Sequence, residues 1–338
     1  MKRIIFAAFC WALPVVAQGQ TALPVIQRIL DTHILPKFER LSRNSQSLSE
    51  LAAQDCNPKS ENLRAAYGAA FDAWVTASHL RFGPTEVEDR AFALAFWPDS
   101  RGVTPRSLNE LIATQDPVVS NVESYQDVSI AVRGFYAMEF LLFDEAMMEN
   151  GSQEYQCALI QTISEDIALT AQHITEDWQV RYVAEVQNPS VGGVYHSEDE
   201  VLKEYLKALS TGLQFTAEVR LGRPMGTFDR PRARRAEARR SGRSALHVEL
   251  SLKALRDLAV QLADEDQALV MSLEKGFDRA QRQLAQLGDP VFASVSEPQT
   301  RLKVEVLQQS VETIRMIVRD QLGPKLGVAA GFNSLDGD

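Results

Sequence analysis

The residues best suited to chemistry sit in one otherwise apolar run, Val132-Arg-Gly-Phe-Tyr-Ala-Met-Glu-Phe-Leu-Leu-Phe143. In a helix, Glu139 would have its carboxylate buried on at least one side. A buried carboxylate is costly unless it meets a cation, a metal ion or strong hydrogen-bond donors, or takes up a proton. Tyr136 lies three residues earlier and so shares its helical face. Gly134 lowers helix stability, which points to a close backbone approach or a kink. Two readings stay open for Glu139: a metal ligand, or the partner of an arginine such as Arg81 or Arg243.

The other polar candidates are scattered. His79 precedes Arg81-Phe-Gly-Pro84, and His247 lies early in the first well-formed helix of the second half; either could face an interface. Arg81, Asp99 and Arg101 either line a pocket or cap and pair to lock their loops. His173 and Glu176 have ligand-like spacing, but their surroundings read as a solvated amphipathic surface. His33 precedes a proline and His196 falls in a loop; both read as structural or exposed. Residues 230–243 hold seven arginines. For most of them the plain reading is a solvated connector offsetting an acidic body, with Arg243 set apart because the next helix starts there. Gly-x-Ser-x-Gly, a Walker loop, a dinucleotide fingerprint and a Cys-x-x-Cys-His site are all missing.

Helical periodicity positions these residues almost without interruption, and strand signals are nearly absent. Helices are expected over 23–54, 60–81, 88–96, 121–145, 152–186, 197–220, 244–263, 265–286 and 297–321, with one more opening at Thr104-Pro105. Pro36 should kink or split the first. The break from Asn188-Pro189 to Gly192-Gly193 divides the chain into residues 23–188 and 194–338. Two packed antiparallel helical bundles, an all-α fold, is the simplest architecture.

Lys2 and Arg3 followed by the apolar stretch 4–16 read as a cleavable signal peptide, cut after Ala17 or near Ala22, so residues 1–22 are set aside and the mature protein is placed in a periplasm. No other apolar run reaches membrane length. A net charge of −10 disfavours nucleic acid as a partner. In an oxidising compartment, Cys56 and Cys157 are expected to pair as a structural disulfide.

Gly134-Phe-Tyr-Ala-Met-Glu139 resembles the Gly-x-His-x-x-Glu helix of the imelysin family, also called peptidase M75. His79-Leu-Arg-Phe-Gly-Pro84, Phe96-Trp-Pro-Asp-Ser-Arg-Gly102 and the closing Gly331-Phe-Asn-Ser-Leu-Asp-Gly-Asp338 are similar to further family segments, the last to one periplasmic branch. The resemblance implies two helical bundles with a pocket near their interface and an exported protein linked to iron acquisition. It implies a metal site at Glu139 and position 136, on the helix that Gly134 opens. His79, Arg81, Asp99, Arg101, Arg243 and His247 are expected around that pocket from their own places in the sequence. This chain departs at position 136, where Tyr replaces the family's His. A phenol must lose a proton near pH 10 to ligate strongly, so Fe³⁺ is favoured over Zn²⁺. The expected function is binding of iron or an iron-carrying ligand, with an envelope iron-uptake protein as a possible partner. The alternatives are an M75-type metallopeptidase and a non-catalytic scaffold whose metal site has decayed.

Overall fold

The computed structural model describes residues 21–328. The signal-peptide assignment up to residue 20 and the motif at 331–338 lie outside them. Among the described residues the fold is all-α: there is no strand, only an isolated bridge between Thr227 and Arg230.

Helix α1 covers residues 23–54 as Leu23–Ile29, a π turn Leu30–Ile34 and Leu35–Gln54. The expected disruption near Pro36 is thus an extra residue in the turn before it, and the helix continues. Next come α2 (Glu61–Ala77), α3 (Val103–Thr114), α4 (Gly134–Phe143) and α5 (Gln153–Asp177), which runs on to residue 187. After a helix-free connection at 188–197 follow α6 (Glu198–Gln214, with a π turn Phe215–Leu221), α7 (Ser244–Ala263), α8 (Gln267–Ala285) and α9 (Pro298–Ile317). Serines and aspartates start several of them. Ser60, Ser152, Ser197 and Asp266 each accept a hydrogen bond from the backbone N–H three residues on.

The long helix expected over 121–145 is instead two short turns, Val122–Tyr125 and Ile130–Val132, and then α4. The break sits at Arg133, which is extended and pairs through two bonds of 2.6 and 2.9 Å with buried Asp166 on α5. Helix α4 is apolar around its circumference, so it must be enclosed. Eight of its ten residues are buried, Glu139 among them.

Helix α1 packs on α2 and α5, and α4 packs on α5. The Cys56–Cys157 disulfide, spanning 101 residues, fastens the end of α1 to α5. In the second half α7 packs on α8, α8 on α9, and α6 on both α7 and α9. Helix α7 also packs on α2, joining the halves. Their buried apolar side chains form one continuous cluster, in which Phe71 of α2 stacks on Phe135 of α4 with centroids 4.8 Å apart.

Candidate functional site

Gly134 seats α4. Its φ is +71°, open to glycine but strained for other residues, and a Cβ there would lie 2.2 Å from the Ala93 carbonyl oxygen and 2.3 Å from that of Leu94. This close approach holds Tyr136 against the 90–98 segment, where Trp97 stacks over its ring at 6.0 Å.

The segment 226–243 crosses from the second half onto α4. Tyr136 donates its hydroxyl hydrogen bond to Glu237 Oε1 at 2.6 Å. Ser241 donates to Glu139 Oε1 through both its backbone N–H, at 2.9 Å, and its hydroxyl, at 2.7 Å. Arg240 lies 3.6 Å over the Phe140 ring and pairs with Asp144. Arg230, Arg234 and Arg235 are exposed, as expected of a solvated connector, but the inner face of the stretch, through Glu237, Arg240 and Ser241, is a strap over the apolar helix.

Glu237, flanked by alanines among the arginines, is the residue that sequence reasoning missed. It is 3% exposed by side chain and is neutralised by Arg220, whose Nε donates to Oε2 at 2.6 Å. The π turn Phe215–Leu221 turns Arg220 inward, where its Nη1 also reaches the Ser251 hydroxyl at 3.2 Å. Burial works to raise the Glu237 carboxyl, but Arg220 and His247 outweigh it and hold it well below the usual carboxylate range. Burial, reinforced by Glu237, pushes the Tyr136 phenol well above its ordinary value. His247 is fully buried, with Nδ1 3.5 Å from Glu237 and Nε2 4.0 Å from Asp72, distances too long for good hydrogen bonds.

Above this floor is a partly open pocket with about 640 Å³ of empty space, mouth included. Trp74, Trp97 and Phe215 give it aromatic walls, and both halves of the chain line it. Of the expected site residues, Tyr136, His79 and Arg81 line it. The others do not. Glu139 bonds to Ser241 behind it, and Gly134 acts through the backbone. Asp99 accepts from the backbone N–H groups of Arg101, Val103 and Thr104, closing its loop, while Arg101 is exposed. Neither arginine offered as a partner for Glu139 takes that role: Arg81 pairs with Glu86 and Arg243 with Asp72. His173 and Glu176 are exposed.

These contacts do not fit a metal ion at Tyr136 and Glu139. The two side chains bond to different partners, the phenol keeps its proton for Glu237, and the raised Tyr136 pKa opposes the phenolate that Fe³⁺ would need. Glu237 already carries a fixed cation in Arg220. Among the described residues no group of three or more His, Cys, Asp or Glu side chains could hold a metal ion.

The fold has solved counterparts. An imelysin-like protein from Psychrobacter arcticum 273-4 superposes with a TM-score of 0.79 at 18% identity, covering 95% of this chain and 100% of that one. A "putative iron-regulated protein A precursor" from Parabacteroides distasonis ATCC 8503 gives 0.74 at 13% identity, covering 91% and 97%. At these identities the likeness establishes the fold alone. No curated protein matches the chain. The family model for imelysin, Peptidase_M75, matches residues 34–317, and the chain belongs to the imelysin family.

Proposed function

We propose that this protein is an exported binding protein whose pocket takes a small anionic iron chelate rather than a bare iron ion. The observation that carries the reading is the pocket floor: a proton-bearing Tyr136 and an Arg220-neutralised Glu237 beneath aromatic walls. Such a floor suits an organic ligand, because its polar groups are already paired and its walls are apolar. The surroundings would draw an anion although the chain as a whole is acidic. Of the seven arginines in 230–243, only Arg240 and Arg243 form a direct ion pair with a carboxylate among the described residues. Arg223 lies 5.7 Å over Trp97 at the pocket wall. Iron enters through the family and through the iron-regulated naming of one structural neighbour.

The test is a fluorescence titration with ferric citrate, using Trp74 and Trp97 as reporters, beside the metal content of protein exposed to iron without citrate. Saturable quenching by the chelate, lost in Trp97→Leu and kept in Glu139→Ala, is expected. Stoichiometric iron retained without any chelator, and lost in Glu139→Ala, would overturn the proposal.

A further inference from the structure

One polar cluster in the pocket wall is not used by the Tyr136 floor. His33 and His79 face each other with Nε2 atoms 2.8 Å apart. His33 Nδ1 lies 2.6 Å from Asp257 Oδ2 on α7. The π turn Leu30–Ile34 places His33 fully inside the protein, whereas the Asp257 side chain is 45% exposed. Three side chains thus run from solvent to the pocket, which His79 lines.

Hydrogen-bond logic fixes every proton along this chain. Asp257 is held low, to about 2: burial works to raise it, but the His33 hydrogen bond and nearby charges prevail. It is therefore an acceptor only, and His33 Nδ1 must carry hydrogen. His33 Nε2 is then a lone pair, so His79 Nε2 must be the N–H that donates to it. What remains is His79 Nδ1, bare and without a partner among the described residues. Lys37 Nζ, 3.1 Å from His33 Nδ1 and 3.5 Å from Asp257, has only hydrogens to offer; it balances the carboxylate. Burial lowers His33 to about 4, and burial with the nearby His33, Lys37 and Arg220 lowers His79 as well, so neither ring is charged at neutral pH. Gly212 of α6 seats the second ring: a Cβ there would lie 2.8 Å from His79 Cβ.

We propose that His79 presents bare Nδ1 to the pocket as its electron-pair donor, locked in that tautomer by Asp257 acting through His33. Its ligand must supply an electron-pair acceptor, either the metal centre of a chelate with a replaceable position or an N–H or O–H group. The chelate arm rests on the function proposed above; the tautomer does not.

The test is long-range proton–nitrogen NMR of the full mature protein labelled at histidine, with His79 assigned by His79→Gln. At pH 7 the ligand-free protein should show Nε2 protonated and Nδ1 bare. Gallium citrate, a diamagnetic stand-in for the ferric complex, should move the Nδ1 signal most; an equal shift with metal-free citrate would assign the acceptor to the ligand's hydroxyl. Asp257→Asn, outside the pocket, should mix the tautomers and weaken binding roughly tenfold. Protonated Nδ1 in the ligand-free protein, or chelate binding unchanged in His79→Gln, overturns the inference. If neither citrate form binds the wild type, the chelate reading falls and the tautomer alone decides: bare Nδ1 upholds the donor, and Nδ1–H removes it.

Discussion

Arg220→Met is the sharpest test of the pocket floor. The substitution keeps an unbranched stem but deletes the guanidinium from beside a carboxylate that is 3% exposed. Glu237 then retains the Tyr136 hydroxyl and a His247 contact of 3.5 Å, and Ser251 loses its 3.2 Å donor. Removing one partner of a buried ion pair costs about 3–5 kcal/mol, because the other charge stays buried without compensation. Urea denaturation at pH 7 should show a loss of this size. Adding Glu237→Gln should restore stability relative to Arg220→Met alone, with a coupling of about 2–3 kcal/mol. The pH dependence has a defined sign. In the wild type Glu237 is depressed, so its contribution is complete above its unfolded pKa and is lost progressively as pH falls from there toward the folded one. In Arg220→Met the dominant cation is gone and burial raises the group. The variant should therefore gain stability relative to the wild type as pH drops from 7 toward 5. A loss below about 1 kcal/mol, or a double variant no better than Arg220→Met, would refute the idea that this pair is the buried anchor of the floor.

Three further outcomes follow from single features. Gly134→Ala should lose at least about 3 kcal/mol in a thermal or urea melt, since its Cβ would collide with two carbonyl oxygens at a left-handed φ; wild-type stability would contradict the close approach. Reducing Cys56–Cys157 should lower the unfolding free energy from urea melts, by up to roughly 4–5 kcal/mol on loop entropy for a 101-residue closure, and unchanged stability would show that packing already holds α1 on α5. His33, lowered to about 4 chiefly by burial, should make stability fall as pH drops from about 6.5 to 4, by up to about 3 kcal/mol, because the unfolded chain takes the proton first. His33→Gln should flatten the curve over that interval.

Much of the frame was readable because helices announce themselves locally. The apolar spacing over 152–186, 197–220 and 244–263 places α5, α6 and α7, with the turns that continue the first two, within a residue or two of their observed ends. Glu139 stood out by the cost of burying a charge, and it does meet strong donors. Its donor, Ser241, could not be foreseen, because an irregular segment has no periodicity to show which face it covers. The same holds for Glu237. Among seven arginines it looked like a surface residue, and only its alanine neighbours, small enough for close packing, hinted at burial. Arg220 and His33 were hidden for a different reason. Each sits in a π turn, where one added residue rotates the following side chains off the face that a 3.6-residue period assigns. The expected break near Pro36 was the only local trace of one of these turns.

The replacement of the family's motif His by Tyr136 gains physical content from its neighbours. A phenol reaches Glu237 with a proton it keeps, and Arg220 supplies the positive charge that lets Glu237 stay ionised. The tyrosine and the arginine are therefore coupled, and Tyr136→His alone should not create a metal site: the imidazole would face a carboxylate already satisfied by a cation, and Arg220 would repel an incoming ion. Tyr136→His with Arg220→Met would free Glu237 beside a neutral imidazole, two donors suited to Zn²⁺ or Fe²⁺. Isothermal titration with Zn²⁺ should detect binding in the double variant, destroyed by a further Glu237→Gln, and none attributable to this site in either single variant. Stoichiometric, Glu237-dependent Zn²⁺ binding by Tyr136→His alone would show that Arg220 does not control the floor. Binding absent from a double variant that still melts cooperatively would show that Glu237 cannot serve as a ligand even when unpaired.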